Sequence, residues 1–149
     1  MIQVRLSNEY DKTVIAKFQI KMANETEQLE LDKDTVNKGV ESVFRDHQKG
    51  KYYVATENDV IVASMLITYE WSDWRNNWVF WLQSVYVLPE KRGEGIFKQM
   101  YEYIIKQVNE SDKVAGLRLY VDIKNLAARK VYAKLGMDGD HYQVFEWMK

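Results

Sequence analysis

The sequence has no cysteine. That absence excludes a disulfide framework, a thiolate metal site and a cysteinyl acyl-enzyme, and it agrees with a reducing compartment. Proline is nearly absent, Pro89 being the only one. Repeats, low-complexity tracts and linkers are missing too, so a single domain over residues 1–149 is expected, long enough to bury most of its apolar surface without staples. No charge of one sign predominates. Twenty-one basic against 22 acidic residues leave a net charge of -1, and the signs are interspersed. No general field and no basic stripe draws nucleic acid or an anionic bilayer, so neither is an expected partner. Long apolar runs are lacking as well, and the N-terminus, M-I-Q-V-R-L-S-N-E, has no signal-peptide core. A cytoplasmic protein without membrane contact is expected. His47 and His141 lie far apart in sequence with no ligand cluster around them, so no metal is expected.

What is present is periodic. Ile2 to Leu6 alternates as a short strand, and Tyr10 to Glu25 has helical character. From Asp34 to Asp46, Val36, Val40, Val43 and Phe44 recur at helical spacing, with Gly50 just beyond. Three strands follow: Lys51 to Glu57, Val60 to Trp71 and Trp78 to Leu88. Asn58-Asp59 makes the first connection a tight hairpin. Glu94 to Asn109 reads as a helix whose Ile96, Met100, Tyr103, Ile104 and Val108 face a sheet. Gly116 to Asp122 reads as a strand, Leu126 to Leu135 as a short helix and His141 to Met148 as a last strand. The fold class is α/β, with helices on a mixed, mostly antiparallel sheet.

The most informative segment is V-Y-V-L-P-E-K-R-G-E-G-I-F-K-Q-M-Y, Val85 to Tyr101. An apolar strand ends at Pro89, a basic glycine-bearing loop follows, and a helix opens at once. The first turn of a helix has unpartnered N–H groups and the positive end of the dipole, so it cradles an anion. Gly93 and Gly95 allow close backbone approach, and Arg92 adds a planar cationic fork. A Walker loop requires lysine and then Ser or Thr after its second glycine, whereas Ile96 and Phe97 follow Gly95. A dinucleotide fingerprint from Gly93 requires glycine where Lys98 stands. A second segment, Leu117 to Met137, reads as strand, loop, helix and glycine stop.

Together the two segments resemble the GNAT superfamily of acyl-CoA-dependent N-acetyltransferases. The pyrophosphate pattern of that family is Gln or Arg, two residues, Gly, one residue, then Gly or Ala. Arg92 to Ile96 fit it, and Phe97 departs from its last position. Asn125, Ala128, Tyr132, Leu135, Gly136 and Met137 fall where the closing motif of the family puts them.

The resemblance implies a sheet whose two central strands, Trp78 to Leu88 and Gly116 to Asp122, splay apart to admit acetyl-CoA. It implies that backbone groups around Val85, Tyr86 and Val87 pair with the pantetheine. The loop of Arg92, Gly93, Glu94, Gly95, Ile96 and Phe97 would take the pyrophosphate, with Asn125 and Ala128 completing the cofactor contacts. Asn125 could equally cap the helix that follows it, or do both. The implied reaction is direct attack of a primary amine on the thioester in a ternary complex. Such an amine has a pKa of about 10.4 and requires a proton acceptor, while the departing thiolate requires a donor. Tyr132 is the expected acid.

Many relatives carry a carboxylate where Gln83 and Ser84 stand here. Base candidates elsewhere are Glu25, Glu27, Glu30, Glu70, Asp73, Asp122 and His141, of which Glu27 is the choice, both as base and as attraction for a cationic amine. The tryptophans of W-S-D-W-R-N-N-W-V-F-W have two readings, packing of a hairpin or an acceptor pocket. Trp74 and Arg75, in the loop itself, are chosen for substrate contact, and Arg75 would hold a carboxylate of a small-molecule or peptide acceptor. Homodimerisation is expected through the edge of the last strand. A reading of another class stands beside the enzyme: a catalytically silent acyl-CoA-binding or sensing module of the same fold.

Overall fold

A computed structural model describes residues 1–149. The chain divides into two compact units, residues 1–118 and 119–149. The first holds β1 (Ile2–Leu6), α1 (Lys12–Glu27), α2 (Lys33–Arg45), β2 (Lys51–Glu57), β3 (Val60–Ser72), β4 (Asn77–Val87), α3 (Ile96–Glu110) and β5 (Val114–Arg118). The second holds α4 (Leu126–Lys134). No helix is long and apolar enough to cross a membrane.

In the first unit the strands lie in the order β1-β2-β3-β4-β5, every pair antiparallel except β4 with β5. This is the mixed, mostly antiparallel sheet expected from the pattern of elements. Asn58 and Asp59, at φ 49 and 64, form the two-residue hairpin turn whose twist suits antiparallel strands. One face of the sheet receives α1 and α2. Ile15, Ala16, Val40 and Val43 pack there against Tyr52 and Val54, with Val36, Phe44 and Leu66 around them. On α3, Ile96, Met100, Ile104 and Val108 form a buried stripe at i, i+4 spacing. Tyr103, expected on the same face, meets the sheet only at the margin of this stripe. It is 36% exposed and sets its ring edge against Tyr53, because it lies off that stripe.

Local chemistry sets the helix ends. Asp32 caps α2 by accepting from the Thr35 N–H at 2.8 Å. Ahead of α1, Asp11 accepts from the Asn8 N–H and from both terminal nitrogens of Arg5 on β1, at 2.7 and 3.0 Å. Desolvation works against this carboxylate, but its bonds from Arg5 and the Asn8 N–H prevail and hold its pKa below the ordinary value. A carboxyl lowered in the folded state contributes stability above the pKa of the unfolded chain and loses it as pH falls through the folded value. The contribution of Asp11 is therefore complete at neutral pH, begins to fall near pH 4 and is lost only as pH drops through the lower folded value. Asp11→Ala should cost about 2 kcal/mol at pH 7 and progressively less as the solution is acidified below about pH 4, measured by denaturant titration.

Two strands differ from the sequence reading. β5 begins at Val114 and ends at Arg118, where its ladder with β4 also ends. His141 to Met148 forms no strand, although its residues alternate suitably. Alternation supplies a face but no ladder partner, and without one a segment does not become a strand. The edge on which dimerisation was expected is therefore not formed.

Within the second unit, α4 stops by a left-handed turn at Gly136, φ 86. The Met137 N–H reaches the Tyr132 carbonyl at 3.1 Å and the Gly136 N–H reaches Ala133 at 3.0 Å. This pair of bonds satisfies carbonyls that the helix end leaves open, which is the physical content of the Leu-Gly-Met sequence.

Candidate active site

The register of β4 creates an open edge. Pairing with β5 covers Trp78 to Trp81 and ends at Arg118. Between Leu66↔Gln83 and Ser64↔Tyr86, β4 has one residue more than β3, so it bulges around Ser84, whose φ is 52. Leu88 donates its N–H to the Val62 carbonyl at 2.9 Å. In an antiparallel ladder bonded and non-bonded pairs alternate, so the neighbouring Val87 turns its N–H and carbonyl away from β3. A splayed strand with outward backbone groups can be paired by an extended ligand. Of the three residues expected to pair with the pantetheine, Val87 is turned outward, whereas the same alternation turns Tyr86 towards β3.

β4 leads through a single turn of 3-10 helix, Pro89–Lys91, into the glycine loop. Gly93 and Gly95 hold φ of 84 and 76, and a Cβ built at either would meet no protein atom within 4 Å. The space around both is open, and the conformation is one that other residues adopt at a cost. Gly95 is the N-cap of α3 and gives it no side-chain cap, so the N–H groups of its first turn are available to an anion. Residues Glu94, Ile96 and Phe97 frame this turn. Ile96 is fully buried and fixes the helix to the sheet, while the Phe97 ring turns to Tyr101 at 6.3 Å. These features fit the pyrophosphate and pantetheine of acetyl-CoA.

The Arg92 side chain is placed in a way the sequence did not suggest. Its Nε donates to the Val87 carbonyl at 3.0 Å, its Nη2 donates to Glu25 at 2.6 Å, and its guanidinium lies 5.5 Å from the centre of the Tyr86 ring. Tyr86, buried in the sheet, donates its hydroxyl to the other Glu25 oxygen at 2.7 Å. The bonds from Arg92 first and Tyr86 second hold the Glu25 carboxyl below the usual range. Burial, then the bond to Glu25, pushes the Tyr86 phenol up to about 12. Sequence reasoning counted Glu25 only as one of several carboxylates. Its partners lie 61 and 67 residues away, and no local signal reports such a pairing.

Glu25 also lines an open depression of about 460 Å³ at the end of α1, with Ile20, Lys21, Asn24, Glu30 and Leu31. A left-handed residue, Gln28, ends α1 and turns the chain across this depression. Glu27 is exposed in the last turn of α1.

The tryptophans divide. Trp71 and Trp78 are cross-strand partners with rings 5.1 Å apart, and Trp81 donates its indole N–H to Glu70 at 3.0 Å. Arg118 shares that carboxylate. These three brace the hairpin. Trp74, 86% exposed, and Arg75, bonded to Ser72, occupy its tip. Because β4 spans 11 residues, the tip is roughly 30 Å from the glycine loop at a rise of about 3.3 Å per residue. Gln83 donates to the Thr68 hydroxyl at 2.6 Å, beside the end of the β4–β5 ladder.

In the second unit, Asn125 is the N-cap of α4 and accepts from the Ala128 N–H at 3.1 Å, so the capping role is realised. Ala128 and Tyr132 stand at i and i+4 on the same helix. Burial raises the Tyr132 phenol above its ordinary pKa. It therefore stays protonated at neutral pH.

Comparison with known proteins agrees with this geometry. The sequence model of the acetyltransferase (GNAT) family matches residues 11–137. A possible acetyltransferase from Clostridium difficile 630 is 42% identical, with a TM-score of 0.92, over 100% of this chain and 98% of that one. A predicted acetyltransferase with acetyl-CoA from Clostridium acetobutylicum is 19% identical, with a TM-score of 0.75, over 98% and 96%. The ribosomal-protein-alanine N-acetyltransferase from Brucella melitensis biovar Abortus 2308 is 15% identical, with a TM-score of 0.81, over 100% of both chains. These last two share the fold. No curated protein matches the sequence. With the family model covering most of its length and the glycine loop and splayed strand in place, the chain belongs to the GNAT acetyltransferase family.

Proposed function

We propose that the protein is an N-acetyltransferase that moves an acetyl group from acetyl-CoA to a primary amine by direct attack in a ternary complex. The observation that carries this reading is the left-handed Gly93–Gly95 loop opening into the uncapped N-terminus of α3, at the end of a strand with outward-turned backbone groups. Acetyl-CoA, when bound, supplies the acetyl group as a thioester. The loop amides from Gly93 to Phe97 neutralise the pyrophosphate charge, and the β4 backbone from Val85 to Val87 orients the pantetheine. Asn125 and Ala128, at the start of α4, contribute further contacts.

Glu27 is assigned the proton of the attacking amine and the attraction of its cationic form, and Tyr132 the return of a proton to the departing sulfur. The nitrogen–carbon bond forms as the carbon–sulfur bond breaks; the ammonium gives up one proton to Glu27 before attack and a second as the amide forms, and one proton reaches sulfur. Trp74 and Arg75, at the far hairpin tip, would touch only the distal part of an extended acceptor, such as a peptide or its carboxylate.

Calorimetry with acetyl-CoA on protein stripped of carried-over ligand tests this reading. Saturable binding is expected, weakened by removal of the phosphates, together with thiol release in the presence of amines. A folded sample that does not bind would overturn the reading. Binding without thiol release across a broad amine panel would favour the silent acyl-CoA-sensing module.

A further inference from the structure

We propose that Glu25 and Arg92 form a ligand-released latch: Glu25 holds Arg92 until a phosphate ligand takes the guanidinium, and the freed carboxylate then serves the pocket at the end of α1 as the contact for a cationic amine. This rests on the donor site proposed above and adds a residue that joins it to the acceptor pocket.

Three contacts hold Arg92, and each lies where a CoA-like ligand would compete. Its Nε sits on the Val87 carbonyl, a group of the open β4 edge that an extended amide ligand would use. Its Nη2 is on Glu25. Its plane lies over Tyr86, next to the loop that ends in the α3 N-terminus. The ion pair is short, but its side chains are 51% and 34% exposed, so water and salt weaken it and it is readily exchanged. A pyrophosphate offers the same planar fork two charged oxygens in a site already rich in backbone donors, so it is the stronger partner.

Release leaves Glu25 in place. Tyr86, itself buried, still donates to one carboxylate oxygen at 2.7 Å and keeps the side chain beside the depression that it lines. The other oxygen is then open to a new cation. Lysines 21 and 33 and Glu30 share that lining, so with the arginine in place the cations outnumber the carboxylates, and its departure restores the balance. An ammonium group would find there one oriented carboxylate whose direct ion-pair partner has gone. The exchange is of ion pairs only and requires no bond making.

The test is acetyl-CoA calorimetry on the wild type, Glu25→Gln, Arg92→Ala and the double variant. If the latch holds, Glu25→Gln binds acetyl-CoA about two- to fivefold more tightly, in line with the modest strength of exposed ion pairs, and the gain vanishes in the Arg92→Ala background. An unchanged or weaker affinity overturns it. So does a gain that persists without Arg92, which would reflect only removal of a negative charge near a polyanion. In amine-dependent thiol release, Glu25→Gln should raise the amine KM several-fold with kcat little changed, and an unaltered KM overturns the acceptor half. Wild-type protein that binds no acetyl-CoA would overturn the proposed function and the latch together. Wild-type binding with variants indistinguishable from it overturns the latch alone.

Discussion

Replacing Tyr132 by phenylalanine is expected to lower kcat by about a hundredfold or more while leaving acetyl-CoA affinity nearly unchanged, the range that a positioned general acid contributes. The substitution keeps the ring and removes only the hydroxyl. The α4 helix that carries it should persist, because its cap at Asn125 and its left-handed stop at Gly136 do not involve the phenol. The phenol is kept protonated by its raised pKa, so its own titration should not lower the rate on the alkaline side until pH exceeds about 10. Loss of affinity with unchanged kcat would move Tyr132 from proton donor to cofactor contact. Unchanged turnover with a verified acceptor would remove it from the mechanism.

The second large effect is expected at Gly95. Its φ of 76 lies in the left-handed region, and a side chain there costs about 1–2 kcal/mol of backbone strain. Because a Cβ at this position meets no protein atom, the fold itself should lose little more than that. A ligand approaching the N–H groups of α3 would meet the new side chain. Gly95→Val should therefore reduce acetyl-CoA affinity at least tenfold, beyond what its stability loss explains, with both read by calorimetry and thermal unfolding. Equal losses in affinity and stability would mean that the glycine serves the backbone alone.

Much of this molecule was legible because its signals are local. Strands β1 to β4 and helices α1 to α4 lie within a residue or two of their periodic segments, and the Asn58-Asp59 hairpin follows from two residues that tolerate positive φ. The glycine loop was legible for the same reason, since its conformation is written in Gly93 and Gly95. The ladder was harder. β5 is shorter than its apolar run, and the alternating segment from His141 to Met148 remains unpaired, because strand existence depends on a partner that the segment does not encode.

By itself, then, the sequence determined the order and type of most elements, the glycine loop and the family, all of which rest on spacing within some twenty residues. Only the tertiary structure decided which carboxylate meets the loop. Glu25 reaches Arg92 across 67 residues of chain, through the packing of α1 on the sheet and the hydroxyl of a buried Tyr86. It also decided that β4 bulges at Ser84 and parts from β5 after Trp81. Ion pairs and ladder ends are made between segments brought together by burial of a shared core, and no short-range pattern records which groups that burial will leave side by side.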